Sequence, residues 1–272
     1  MGILQSCARA WENNADTSSS AQMMRDFMRT LIATVFFFLL ILAPLSAPLA
    51  DEQTAAIEKV LSRIFPRQHP DTIVAAPVPG LYEVSYGTEI FYVTGDGRFL
   101  LQGDLIDLQS INNLTEEKRS VARKKIIAAI DPATAIIFKP GKTRYVVNVF
   151  TDVDCPYCRK MHKEIDGYLR EGIEIRYLAY PRSGINTPSY YKAVAVWCSP
   201  DRKAAMTMAK SGGSVEAKAC NDPVRAHMAR AREIGISGTP TLVLPDGSVI
   251  AGYISAKQLR RVLDERIGKQ QG

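Results

Sequence analysis

Two cysteines, Cys155 and Cys158, are separated only by Pro156 and Tyr157, directly after a run of strand-favouring residues at 145–150 and at the start of a helical stretch. A thiol placed where a strand turns into a helix faces unpaired N–H groups and the positive end of the helix dipole, and both favour thiolate. Pro156 falls on the first helical position, where its missing N–H costs nothing and its φ is already set. Cys158, one turn on, points back toward Cys155. In comparable Cys-x-x-Cys sites the first thiol has a pKa of about 3.5–7, against about 8.5 for a free cysteine. Cys155 is therefore the expected nucleophile and Cys158 its redox partner.

Other uses of such a pair make demands that this sequence does not meet. Haem attachment needs His after the second cysteine, where Arg159 stands; zinc needs two more ligands, and Cys198 and Cys220 stand singly. No metal or cofactor is expected. Asp154 opposes thiolate, while Arg159 and Lys160 favour it. His162 is expected on a solvent-exposed helix face, with proton carriage as the alternative. Cys198 and Cys220 read either as a structural disulfide or as two thiols packed like small apolar residues. Gly238-Thr239-Pro240-Thr241 precedes a strand, and a peptide bond before proline is ordinarily trans.

The elements around the motif alternate. Residues 173–180 form a second strand after the active helix, implying a βαβ crossover. Helices follow at 190–198, 201–210 and 223–234, then strands at 241–244 and 248–253 joined through Asp246-Gly247, and a last helix over 256–266. Upstream, residues 57–64 form a short amphipathic helix ended by Pro66 and Pro70. Short strands follow at 72–76, 81–85, 89–94 and 99–103, with 105–108 as a further candidate. A helix from Asn113 or Thr115 to about Ile130 carries acidic residues first and basic residues later, and its many polar positions suit a connector with one exposed face.

A chain of 272 residues, 46% apolar and 23% charged, has the length for two domains and the composition for a packed core. The organisation expected is an N-terminal extension and signal peptide over 1–50, a small domain over 51–112, a linker helix over 113–131 and an α/β domain over 132–272. The apolar run 31–42 follows Arg25 and Arg29 and precedes Ala-Pro-Leu-Ala at 47–50, the layout of a leader cleaved near Ala50. The run is short for a membrane span. Pro48 is unusual three residues before that break. A start at Met24 or Met28 would give a leader of ordinary length and exclude Cys7, leaving two pairs of cysteines. The net charge of +6 comes without a dense Lys/Arg run, which argues against nucleic-acid binding. The small front unit is near the size at which one core is marginal alone, so it either packs on its neighbour in the chain or pairs with a second copy.

An ordered series of segments resembles the DsbC family of periplasmic disulfide isomerases. It runs through Pro77-Val78-Pro79-Gly80-Leu81-Tyr82, Tyr92-Val93-Thr94-Gly95-Asp96-Gly97, Leu101-Gln102-Gly103 and Phe150-Thr151-Asp152. It continues through Arg176-Tyr177-Leu178-Ala179-Tyr180-Pro181-Arg182, Trp197-Cys198 and Gly235-Ile236-Ser237-Gly238-Thr239-Pro240. The resemblance implies a cystatin-like N-terminal dimerisation domain, a linker helix and a C-terminal thioredoxin-fold domain with a helical insertion, assembled as a V-shaped homodimer around a cleft. It also implies a cis Thr239–Pro240 bond, a Cys198–Cys220 disulfide, unfolded or misoxidised exported proteins as clients, chaperone activity, and a DsbD-like membrane thiol-relay reductase as partner. Many members have Gly where Pro156 stands. Cys-Pro-Tyr-Cys is the pattern of the sister DsbG group, so a thiol reductase or protectant, or a dithiol oxidase, is the alternative activity. A pure holdase is the non-enzymatic one.

Overall fold

The computed structural model describes residues 49–216 and 220–268, so all of the expected leader but its last two positions lies outside the described residues. Helix α1 (Leu49–Ile64) lays Ile57 and Leu61 on the front sheet, where both are covered by Tyr82, Val84 and Val93. That sheet is an antiparallel meander of β1 (Thr72–Ala75), β2 (Leu81–Tyr86), β3 (Glu89–Thr94) and β4 (Leu100–Leu101) in chain order. The fourth strand is shorter than its sequence suggests. It forms the sheet's edge, with Phe99, Leu100 and Leu101 exposed. A small ladder of β5 (Ile106–Asp107) and β6 (Asn112–Asn113) leads into helix α2 (Leu114–Ala128). Asn113 caps this helix by accepting from the Glu116 N–H at 2.8 Å, satisfying one of the donors that every helix start leaves open. Buried Thr115 ties the same turn to the Tyr92 hydroxyl at 2.6 Å.

The rear sheet has the order β11-β10-β8-β9-β7. Its centre is β8 (Tyr145–Thr151), paired in parallel with β9 (Ile173–Ala179), while β7 (Ile136–Phe138), β10 (Thr241–Val243) and β11 (Val249–Ala251) join antiparallel. Alternation along β8 sends Val147 and Val149 to one face, among Met161, Trp197, Leu259 and Leu263, and Phe150 to the other, beside Leu178, Ala231 and Ile234. Helices α3 (Pro156–Lys163) and α4 (Ile165–Arg170) replace the single helix the periodicity predicts, with the break at Glu164. Helices α5 (Pro188–Trp197), α6 (Arg202–Lys210), α7 (Val224–Ile234) and α8 (Ala256–Gly268) complete a sheet covered on both faces.

Residues 51–272 form one unit, in which the front domain and α2 touch the rear domain at several points. Ile126 and Ile127 of α2 pack on the second core of the rear sheet. The Thr88 hydroxyl donates to the carbonyl of Glu233, near the end of α7, at 2.6 Å. The Ser120 carbonyl in mid-α2 runs so close over the β10–β11 turn that a Cβ on Gly247 would lie 2.0 Å from its oxygen. Gly247 also has φ of +87°, so this turn accepts glycine on both counts. Among the described residues no helix is long and apolar enough to cross a membrane.

Candidate active site

The strand β8 is buried over its last three residues and ends at Thr151, and the chain then passes through Asp152-Val153-Asp154 to Cys155, the N-cap of α3. This loop is pinned by one buried carboxylate. Asp152 Oδ1 accepts from the Asp154 N–H at 2.9 Å and the Ser189 hydroxyl at 2.6 Å, and Oδ2 accepts from the Arg182 N–H at 3.0 Å. Burial raises the pKa of this carboxyl, but these donors and the nearby Arg182 charge outweigh burial and hold it below the usual range. The Asp152 carbonyl also accepts the Cys155 N–H at 3.2 Å.

Cys155 and Cys158 are both unbonded and each is 1% exposed, with Cys158 the deeper of the two. Pro156 is the first residue of α3, and Tyr157, 63% exposed, stands out from the site. The Thr239–Pro240 bond is cis, and the Thr239 carbonyl lies 3.2 Å from Cys155 Sγ. A carbonyl only accepts, so that contact suits the neutral thiol. The Thr239 hydroxyl is buried without a hydrogen-bond partner and is the donor on hand once the sulfur ionises. Burial alone would push the Cys155 pKa up. Hydrogen bonding from Thr239 and from the Cys158 N–H and thiol, with the Arg182 charge, brings it below the ordinary cysteine value. Burial dominates at Cys158 and raises its pKa, against the pull of Lys210, Thr151 and Thr239.

Asp154 does not stand as an open charge beside the nucleophile. Its carboxylate is held by Arg159 at 3.1 Å and by Lys192 at 2.9 and 3.1 Å, so its repulsion of a thiolate is largely offset. Lys160 turns away, with its Nζ 4.2 Å from the Tyr253 ring centre. His162 requires a correction: it is buried, not on a solvent-exposed face, because α6 and the Phe138 and Tyr177 rings cover that side of α3. Its Nε2 lies 3.0 Å from the Thr207 hydroxyl, and burial together with the Lys210 charge lowers its pKa to about 4. Cys198 and Cys220 are joined as a disulfide away from the reactive pair. Among the described residues no three His, Cys, Asp or Glu side chains cluster as metal ligands would.

The sequence reading singled out neither Ser189, Lys192 nor Lys210 for the site, and Arg182 and Asp152 entered only through the family motif. Asp152 had a local signal, since a carboxylate just past a strand and three residues before a reactive thiol is an obvious loop anchor. The other four reach the site from residues 182–210, a distance no local pattern carries.

Comparison with known proteins adds independent findings. The thioredoxin-like domain family matches residues 132–267, and the N-terminal domain family of disulfide bond isomerase proteins matches residues 48–116. The thiol:disulfide interchange protein DsbC of Salmonella typhimurium is 31% identical over 243 residues, covering 89% of this chain and 95% of its own. The proteins of the same name from Dickeya dadantii (33% over 236 residues, 85% and 94%) and Escherichia coli strain K12 (30% over 229 residues, 84% and 95%) are similar to it over nearly the same span.

Proposed function

This chain belongs to the DsbC family of thiol:disulfide interchange proteins, and on that premise we propose that Cys155 is its attacking sulfur and Cys158 its resolving one. The protein is a thiol–disulfide isomerase. The observation that carries the assignment is the placement of the two thiols, with Cys155 as the N-cap residue of α3 against the Thr239 carbonyl and Cys158 one turn deeper, an arrangement that favours ionisation at the first and disfavours it at the second. Cys155 thiolate attacks one sulfur of a wrong disulfide; that bond breaks, a client thiolate leaves, and a mixed disulfide forms. The freed client thiolate attacks another bridge, and a further client thiolate displaces Cys155, so no net electrons are used. When the client stalls, Cys158 thiolate attacks Cys155 Sγ, the client leaves reduced, and Cys155–Cys158 becomes a disulfide that a membrane thiol-relay reductase of the DsbD type must reduce.

The domains act as a front dimerisation unit with a cystatin-like fold over 51–112, a linker over 113–131 and a catalytic domain over 132–272, exported to the periplasm after removal of a leader near Ala50. Support for pairing comes from β4, an edge strand carrying exposed Phe99, Leu100 and Leu101, with Ile106, Leu108 and Ile111 exposed nearby. Such an apolar edge is a template for a second chain, and burying it would close the front sheet. Two joined copies would set two Cys155 sites around one cleft for unfolded exported proteins and provide chaperone activity. Thr239 and Pro240 support the sulfurs, and Cys198–Cys220 staples the helical insertion.

Refolding of scrambled ribonuclease tests this reading. The protein is expected to restore ribonuclease activity, Cys155→Ser to abolish it, and sedimentation to give a dimer. Full activity in Cys155→Ser would overturn the assignment, and full activity in a monomer would overturn the cleft. Pro156 favours one second reading, a DsbG-like reductase or protectant or a dithiol oxidase. Alkylation trapping in cells separates the oxidase, because a pair that is mostly disulfide at steady state contradicts isomerase action.

A further inference from the structure

Lys210 closes α6, the second helix of the insertion, and its side chain runs inward rather than to solvent. It is 3% exposed, among the rarest environments for a lysine. Its Nζ donates to the Thr151 hydroxyl at 2.6 Å and to the Asp152 carbonyl at 2.8 Å, the last two residues before the active loop turns. It lies 5.9 Å from the centre of the Tyr177 ring, on the strand beneath. The groups facing it are Thr151 from the end of β8, Asp152 and Cys155 from the loop that follows, Cys158, Arg159 and His162 from α3, and Tyr177 from β9. None of the exchange steps at Cys155 uses this amine.

The resolving step needs what Lys210 can supply. Cys158 is buried and its ionisation is disfavoured, yet it must become a thiolate to attack the mixed disulfide. Lys210 and the Thr151 hydroxyl are the two largest influences pulling its ionisation back the other way. We propose that Lys210 is a positioning residue for the resolving step, taking the Cys158 proton through the Thr151 hydroxyl and then holding the thiolate as an ammonium. The proposal rests on Cys158 being the resolving sulfur. In balance, Cys158 passes its proton to Thr151 Oγ1 while the Thr151 hydroxyl proton moves to neutral Nζ. The thiolate then forms a bond to Cys155 Sγ, the bond from Cys155 to the client sulfur breaks, and the client leaves as thiolate. Cys155 and Cys158 are oxidised to a disulfide and the client is reduced.

The amine's acidity suits that exchange. Burial lowers its pKa to about 8, with Arg159 adding to the fall, while Cys158, Asp152 and Cys155 act in the opposite sense. At pH 7 about a tenth of such amines is free base, against under a thousandth for an ordinary lysine. His162, on the same face, is neutral at that pH and adds no competing cation.

The test uses glutathione disulfide as the probe. Reduced protein is mixed with excess probe, and quenched samples are weighed by mass spectrometry to follow formation and loss of the Cys155–glutathione adduct from pH 6 to 9. Lys210→Met is expected to slow adduct loss about tenfold or more at pH 7 and to move its pH profile upward by about one unit, with adduct formation much less affected. Lys210→Arg keeps the charge but never yields a free base, so it is expected to slow loss as well. Thr151→Val is expected to slow loss and Thr151→Ser to restore it, which keeps the test decisive if either Lys210 variant folds poorly. Wild-type rates and an unmoved pH profile in Lys210→Met or in Thr151→Val would overturn the inference. Wild-type protein that forms no adduct at Cys155 would overturn the exchange reading and this inference with it.

Discussion

Acid should loosen this protein well before its carboxylates protonate, because two histidines are buried uncharged. His227 is 2% exposed; its Nδ1 accepts from the Ala179 N–H at 3.2 Å, which leaves Nε2 to donate to the Thr134 hydroxyl at 3.0 Å. His162 is 4% exposed and lies against Thr207 and Tyr177. Burial lowers each pKa from 6.5 to about 4, helped by the Arg202 charge at His227 and by Lys210 at His162. Between those values the unfolded chain binds protons that the folded one does not, so stability is fully present above pH 6.5 and is lost as pH falls toward 4. Integrating that difference gives a loss of about 2 kcal/mol per histidine at pH 5, so about 4 kcal/mol for the pair. That is a large share of the roughly 5–15 kcal/mol that a folded domain has in total. Urea unfolding of wild type, His162→Gln, His227→Gln and the double variant at pH 7.5, 6 and 5 measures it. Each substitution is expected to remove about half of the pH-dependent loss, whatever it costs at pH 7.5. A wild-type stability that is flat from pH 7.5 to 5, or a double variant that falls as steeply, would refute the reasoning. Asp152, whose pKa is lowered, acts in the same sense but in a lower window, with stability lost only as pH falls below the usual carboxylate range.

Two further perturbations have definite directions. Gly247→Ala would place a methyl group 2.0 Å from the Ser120 oxygen in a left-handed backbone conformation, and is expected to cost about 2 kcal/mol or more and to loosen α2 from the rear domain, measured by urea unfolding and by hydrogen exchange along 114–128. Asp154→Asn removes the carboxylate that occupies Arg159 and Lys192, leaving two cations near Cys155; iodoacetamide titration is expected to show the thiol ionising at lower pH than in wild type, and an unchanged or higher midpoint would count against this account.

Most of the element order was readable from local pattern, because strand-favouring runs and helical spacing act over a few residues. Residues 89–94 and the parallel pair at β8 and β9 follow this rule. The strand β7 did not, since Ile136-Ile137-Phe138 is too short to show a period and becomes a strand only by pairing with β9. The division of α3 from α4 also left no sequence mark, as no proline or glycine stands at Glu164. At the site, the two sulfurs were legible because their chemistry depends on neighbours in the chain, whereas the place of the proline loop followed only from the family resemblance. His162 was misplaced because helical spacing tells which residues share a face but not which faces a later insertion will cover. Lys210 was invisible for the same reason, for a lysine ending an amphipathic helix is ordinarily solvated.

The close approach of α2 at Gly247 and the hydrogen bond from Thr88 to Glu233 meet two separate elements of the rear domain, so turning the front domain on the rear one would break that bond and lift α2 off the β10–β11 turn. If two copies pair through the front domain as proposed, a held arm would fix the distance between opposite thiols. A chain that is still loose would then enter that space more readily than one that has reached its final bulk. Discrimination between unfinished and finished clients would come from clearance alone, without any side chain having to recognise a sequence.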